Sequence, residues 1–149
     1  MPDTYTQLYI HIIFSVKERE PLIKDSFKKE LLAYIGGIIK NKGQKPIAIN
    51  GTSDHIHILA GIKPDKSISE LVREIKSNSS KYVNEKKFIQ VKFHWQEGFG
   101  AFTYSHSQLT SVINYIMRQK EHHKHKGFAD EYKEFMRKFN VVYDEKYIL

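Results

Sequence analysis

The tight turn Gly51-Thr52-Ser53-Asp54 constrains this chain more than any other feature. Pro46-Ile47-Ala48-Ile49-Asn50 before it and His55 to Ile62 after it are both strand-like, and so short a connection leaves them little choice but to pair as an antiparallel hairpin. On each side of the hairpin lie one further strand-like run and one helix-like run. Upstream, Thr4 to Ser15 is rich in β-branched and aromatic residues, and Pro21 then breaks the chain. Phe27, Leu31, Tyr34, Ile35, Ile38 and Ile39 follow at three- and four-residue steps, which predicts a helix with one buried face, capped by Asp25 or Ser26. Gly36-Gly37 inside it predicts close packing against a neighbour. Downstream, Ser67 and Glu70 form a capping-box pattern ahead of the stripe Ile68, Leu71, Val72, Ile75, Tyr82 and Val83. Phe88 to Tyr104 is aromatic and strand-like, with Gly98 and Gly100 marking a bend or a close approach. Ser107 would cap a third helix from Gln108 to about Lys124, and a last helix is expected from Phe128 to Phe139. The order β-α-β-β-α-β predicts an α+β, ferredoxin-like split βαβ fold: an antiparallel sheet with helices on one face, plus C-terminal helices.

The 149 residues suit one domain spanning 1–149. The chain has no apolar run long enough to span a bilayer, and Met1 to Thr6 is polar, so neither a membrane segment nor a signal peptide is expected. The absence of cysteine excludes disulfides and thiolate metal sites and agrees with a cytoplasmic location. The net charge of +7 and a pI near 9.4 favour polyanionic partners. Abundant aromatic residues suit stacking against the exposed bases of a single strand. Arg73, Lys76 and Lys81 on the second helix, together with Trp95 and His122, are the candidate nucleic-acid contacts. For the basic residues, an ordinary solvated helix face explains the pattern equally well.

Two motifs carry chemistry. Side chains alternate along a strand, so His55 and His57 share one face while Ile56 and Ile58 take the other. Paired imidazoles of this kind are half of a metal site, although the polar face of a half-exposed strand shows the same pattern. On the third helix, Leu109, Val112, Ile113 and Ile116 form an apolar arc, and Tyr115, Gln119 and His122 fall together on its flank. A tyrosine at the edge of a core often looks like this too. Taken together the motifs have a sharper meaning. Two histidines and a Gln119 oxygen could hold a divalent cation with room for phosphate oxygens, and the Tyr115 hydroxyl would be the nucleophile on a phosphodiester. A free phenol has a pKa of about 10 and needs a partner for its proton, which sequence alone does not reveal.

His55-Ile56-His57 resembles the HUH signature, in which U is an apolar residue, and Tyr115-Ile116-x-x-Gln119-x-x-His122-His123 resembles the catalytic helix of the insertion-sequence-200-like transposases. The resemblance extends over the opening Tyr5-x-x-Leu8-Tyr9-Ile10-His11 strand, the helix from Ser69 to Ser79, Trp95 to Phe102, Phe128, Glu131-Tyr132 and Tyr143 to Tyr147. It implies a single-tyrosine transposase in which His55, His57 and Gln119 bind Mg²⁺ or Mn²⁺. Tyr115 would attack the scissile phosphate to give a 5′-phosphotyrosine link and a free 3′-OH. The family implies homodimers acting on single-stranded DNA with hairpins at the element ends, with the tyrosine helix able to complete the partner's site. One alternative is a domesticated nuclease of the same chemistry acting on dispersed palindromic repeats. Another is a ferredoxin-like nucleic-acid-binding protein without catalysis. A replication initiator or relaxase fits poorly with so short a chain.

Overall fold

The computed structural model describes residues 4–119 and 127–142. The expectations for His122, for the end of the third helix near Lys124 and for Tyr143 to Tyr147 lie outside these residues.

Four strands, β1 (Tyr9–Ser15), β2 (Lys45–Gly51), β3 (His55–Gly61) and β4 (Gly100–Thr103), form one antiparallel sheet in the order β2-β3-β1-β4. Helices α1 (Asp25–Asn41) and α2 (Ile68–Lys86) connect β1 to β2 and β3 to β4, as the split βαβ plan requires. The α+β, ferredoxin-like expectation is met. Ile12, Phe14, Ile56, Ile58 and Ala60 point to one face and join Leu31, Ile35, Ile39, Leu71, Ile75 and Val83 of α1 and α2 in the main core.

The C-terminal helices, α3 (Leu109–Met117) and α4 (Phe128–Lys138), lie on the other face. Ala48 and Leu59 pack with Val112 and Ile116 of α3, while Ile13 and Phe102 pack with Phe128 and Phe135 of α4. Burying a ring such as Phe128 or Phe135 contributes roughly 1.5–3 kcal/mol, which is what holds α4 against the sheet. The two pleat faces therefore serve different ends. One is the structural core, and the other, carrying His11, His55 and His57, is roofed by α3 and α4.

Several local expectations shift. α1 begins after Lys24, which makes no side-chain cap hydrogen bond, so neither Asp25 nor Ser26 is its N-cap; Asp25 is instead an acid in the positively polarised first turn. Ser67 does accept the Glu70 N–H, at 3.1 Å. Gly36 lies one van der Waals contact from Ile49, where a Cβ would meet its Cδ1 at 3.5 Å, whereas Gly37 faces open space. The run Phe88 to Tyr104 is not one strand. Only Gly100–Thr103 pairs with β1, and Trp95 makes an isolated bridge to Val16. The reason is that the Asn84 side chain takes both backbone groups of Phe93, donating to its carbonyl at 3.0 Å and accepting its N–H at 2.7 Å. A neighbouring strand is not needed, and the rings of Phe93 and Trp95 enter the core instead of lining a ladder. The capping serine before α3 is Ser105, not Ser107; it forms a reciprocal capping box with Gln108 across a short 3-10 turn, His106–Gln108.

Candidate metal and tyrosine site

The hairpin turn sets the first histidine. A Cβ at Gly51 would lie 2.5 Å from the His55 carbonyl oxygen, so the turn closes more tightly than any side chain permits. Inside it, His55 Nδ1–H donates to Asp54 Oδ1 at 2.7 Å, and Thr52 Oγ1 lies 2.9 Å from the same nitrogen. A carboxylate only accepts, so the proton sits on Nδ1 and Nε2 is turned toward the roof. Burial pulls the His55 pKa down, but the hydrogen bonds and charges of Asp54 and Glu131 outweigh it, and the group sits above its ordinary value. A proton therefore competes with any metal at Nε2, and affinity should fall as the pH is lowered.

His57, two residues along β3, is set by β1. Its Nδ1 lies 2.8 Å from His11 Nε2, and His11 Nδ1 lies 3.5 Å from the Tyr104 hydroxyl. Burial, and then the charges of His57 and Lys138, hold the His11 pKa well below its usual value, so this imidazole is neutral. The consistent arrangement has His57 Nδ1–H donating to His11, which leaves His57 Nε2 as a ligand atom. Both histidines are thus oriented through their far nitrogen, one by a carboxylate and one by an imidazole, as metal-binding histidines are.

Opposite them stands the roof. Asn50 Nδ2 donates to the Ile116 carbonyl at 3.0 Å, which ties the end of α3 to β2. The helix breaks at Arg118, so Tyr115 and Gln119 are not on one continuous helix as the four-residue spacing suggested. Gln119 nevertheless arrives at the site, with Oε1 3.4 Å from His55 Nε2 and Nε2 3.4 Å from the Tyr115 carbonyl. Tyr115 packs its ring edge-on to His57, with centroids 5.9 Å apart, and against Phe135 at 5.6 Å.

The residue that sequence reasoning passed over as a site group is Glu131. It is buried in the first turn of α4, and its Oε1 lies 3.2 Å from His57 Nε2 and 3.5 Å from His55 Nε2. Its second oxygen accepts the hydrogen bond of the Tyr115 hydroxyl. Burial pushes this carboxyl up, but hydrogen bonds and charge from His55 and His57 more than offset it, so it is held below the usual carboxylate range. A signal was present: Glu131 falls between Phe128 and Phe135 on the buried stripe of α4, three and four residues from each, where an acid has no reason to be without a partner.

One ligand atom from each of His55, His57 and Glu131 lies within 4.8 Å of the others, close enough to share one ion. With Gln119 Oε1 the set offers two imidazole nitrogens and two oxygens, a composition that fits a divalent cation.

The candidate nucleic-acid contacts do not gather here. Arg73 and Lys76 line a shallow groove beside Trp95, on the α2 side of the sheet. The Lys76 ammonium donates to the carbonyls of Gln96 at 2.8 Å and Gly98 at 2.6 Å, and burial lowers its pKa to about 8. It thereby staples the 96–98 segment to α2. Lys81 is exposed, 3.9 Å from Glu85. Trp95 turns its ring inward, edge-on to Phe14 and Phe93, and its Nε1–H donates to Ser79 at 2.9 Å. The ring also borders the groove that Arg73 and Lys76 line.

The sheet is antiparallel and ferredoxin-like, with a histidine pair on a central strand and a tyrosine packed against it. The family model described as transposase IS200 like matches residues 4–119, and the chain belongs to that family. It is similar to the ISDra2 transposase TnpA of Deinococcus radiodurans, with 23% identity over 120 residues, covering 77% of this chain and 86% of that one. Among solved structures, a candidate transposase from Deinococcus radiodurans R1 aligns with a TM-score of 0.65 at 20% identity, covering 78% of this chain and 94% of that one. A REP-associated tyrosine transposase bound to a REP hairpin aligns with a TM-score of 0.62 at 15% identity, covering 80% and 71%. At these identities the structural likeness speaks to fold. No helix among the described residues is long and apolar enough to cross a membrane.

Proposed function

We propose that this transposase cuts and rejoins single-stranded DNA at hairpin-marked ends, with Tyr115 as nucleophile and Mg²⁺ or Mn²⁺ held by His55, His57, Gln119 and Glu131. The observation that carries the reading is the Glu131 carboxylate, which holds the Tyr115 hydroxyl with one oxygen and both histidines with the other. A bound divalent cation would supply Lewis-acid activation of the scissile phosphate.

The residues divide the remaining work. Tyr115 Oη forms a bond to phosphorus, and the bond from phosphorus to the 3′-oxygen breaks, leaving a 5′-phosphotyrosine link and a 3′-oxygen that takes up the proton Tyr115 released, to become a 3′-hydroxyl. A second strand's 3′-hydroxyl reverses the exchange and frees the tyrosine. One phosphodiester replaces another, so little free energy is lost. Glu131 orients the hydroxyl and receives its proton as the oxygen's charge develops. A carboxylate below its usual range is a weak base toward a phenol near pKa ~10, so it acts late, once attack is under way. Asp54 and His11 keep the imidazoles in register.

The neighbouring structure carrying a REP hairpin supports a hairpin-bearing DNA partner, and the basic charge supports a polyanion. The functional unit in this reading is a homodimer. Within one chain, the Tyr115 ring packs against His57 of the same chain.

The deciding experiment incubates the protein with single-stranded oligonucleotides from the DNA flanking its gene, then looks by mass spectrometry for a nucleotide-bearing Tyr115 peptide. No adduct on any strand ends the proposal. Two further outcomes are expected. Duplex DNA of the same sequence is cut at least tenfold more slowly, because the scissile strand has to be unpaired to enter the roofed site; equal rates on gels would refute the single-strand claim. Mn²⁺ supports cleavage at least as well as Mg²⁺ at matched low concentrations, because two of the ligand atoms are imidazole nitrogens. Faster cleavage with Mg²⁺ across a titration would show that those nitrogens do not dominate the coordination.

A further inference from the structure

The histidines, Gln119 and Glu131 are almost wholly buried, so a DNA strand cannot approach Tyr115 from the metal side without moving the roof. A second side of the tyrosine borders a cavity. Between α3 and α4 lies a cavity of about 330 Å³, and Tyr115 is one of its walls. Phe135, Val112 and Tyr104 supply the apolar and aromatic remainder, while the exposed Gln108, Ser111, Glu134 and Lys138 supply polar groups. The Lys138 ammonium stands 5.9 Å from the centre of the Tyr104 ring.

We propose that this cavity is a nucleobase subsite, taking the base of a nucleotide adjacent to the scissile phosphate. The inference rests on Tyr115 being the nucleophile. Four features then converge. The cavity shares a wall with the residue that bonds to phosphorus, so the group in reach of it is the next nucleotide of the same strand. Its size is at the lower end of small-molecule sites, ~300–1,000 Å³, which suits a single ring system better than a folded partner. Its aromatic walls offer stacking surface, which any base can use. Its exposed residues include the Lys138 cation for the adjoining phosphate and the Ser111 hydroxyl for a base edge. Burial drives the Tyr104 phenol up to about 12, so that wall stays neutral and available for stacking through the whole working pH range. Tyr104 also lies 3.5 Å from His11, which backs His57. An occupied subsite and a correctly oriented metal ligand therefore share one side chain.

The test begins with an oligonucleotide that the wild-type protein cleaves, because the mass of the Tyr115 adduct locates the scissile phosphate. Single bases on either side of that phosphate are then removed in turn. At one position the abasic strand is expected to raise KM about tenfold, a stacking-sized effect, while neighbouring positions change it little. Ser111→Leu fills the cavity from an exposed helix position. It is expected to raise KM on the intact strand and to erase the difference between intact and abasic strands, with thermal unfolding confirming an unchanged fold. A flat abasic scan in the wild-type protein overturns the subsite and leaves the adduct, and so the catalytic reading, standing. A position-specific effect that persists undiminished in Ser111→Leu overturns the assignment to this cavity. Absence of any Tyr115 adduct overturns both.

Discussion

Tyr115→Phe is expected to abolish covalent adduct formation and strand cleavage, a loss of roughly a thousandfold or more, while single-stranded DNA binding changes by less than about twofold. The substitution removes one oxygen. The ring keeps its contacts with Phe135 and His57, so α3 and α4 remain docked. Glu131 loses the tyrosine hydroxyl but retains both histidines, so its carboxylate is not stranded, and the stability cost should stay near that of one hydrogen bond, about 1 kcal/mol. Mass spectrometry of the protein after incubation with a cleavable strand, beside a binding isotherm on the same strand, separates the two effects. Cleavage with an adduct on another residue would move the nucleophile elsewhere.

His57→Ala is the more disruptive change, and its consequences reach past the metal. The variant should lose metal-dependent cleavage by at least about a hundredfold, since one ligand goes and a second is disturbed. It also leaves the Glu131 oxygen with one histidine instead of two and takes the hydrogen-bond partner from His11. A buried polar group without a partner costs about 1–3 kcal/mol, so the apoprotein should unfold at lower denaturant as well. Calorimetric titration with Mn²⁺ distinguishes the ligand effect from the stability effect, because a merely weakened fold would still show the wild-type affinity at low temperature. An unchanged cleavage rate with metal present would remove the histidine pair from the mechanism.

Both predictions depend on how far the site could be read before the fold was known. The two strands of the hairpin, the shared face of His55 and His57, and the placement of Tyr115 beside the α3 apolar arc all follow from local periodicity. They appear in the structure because backbone geometry repeats every two residues in a strand and every 3.6 in a helix. Gln119 shows the limit of that rule. Its predicted helix breaks at Arg118, yet the residue still reaches His55, because the tertiary packing of α3 on β2, held by Asn50, sets its place. Trp95 shows another limit. Its aromatic type is legible in the sequence, but only the packing against Phe14 and Phe93 sets where the ring lies.

The chain's own pattern determined the order of its strands and helices, the two-faced sheet, the histidine pair and the candidate nucleophile, because each is written in spacings of a few residues. Only tertiary structure decided the proton partner of Tyr115 and the second support of the histidines. Glu131 reaches His57 across 74 positions of sequence, and His11 reaches the same histidine across 46; no short-range period links residues so far apart. They meet because α4 buries Phe128 and Phe135 on the one sheet face that still lacks a cover, and a carboxylate carried on that same stripe must find hydrogen bonds or remain outside.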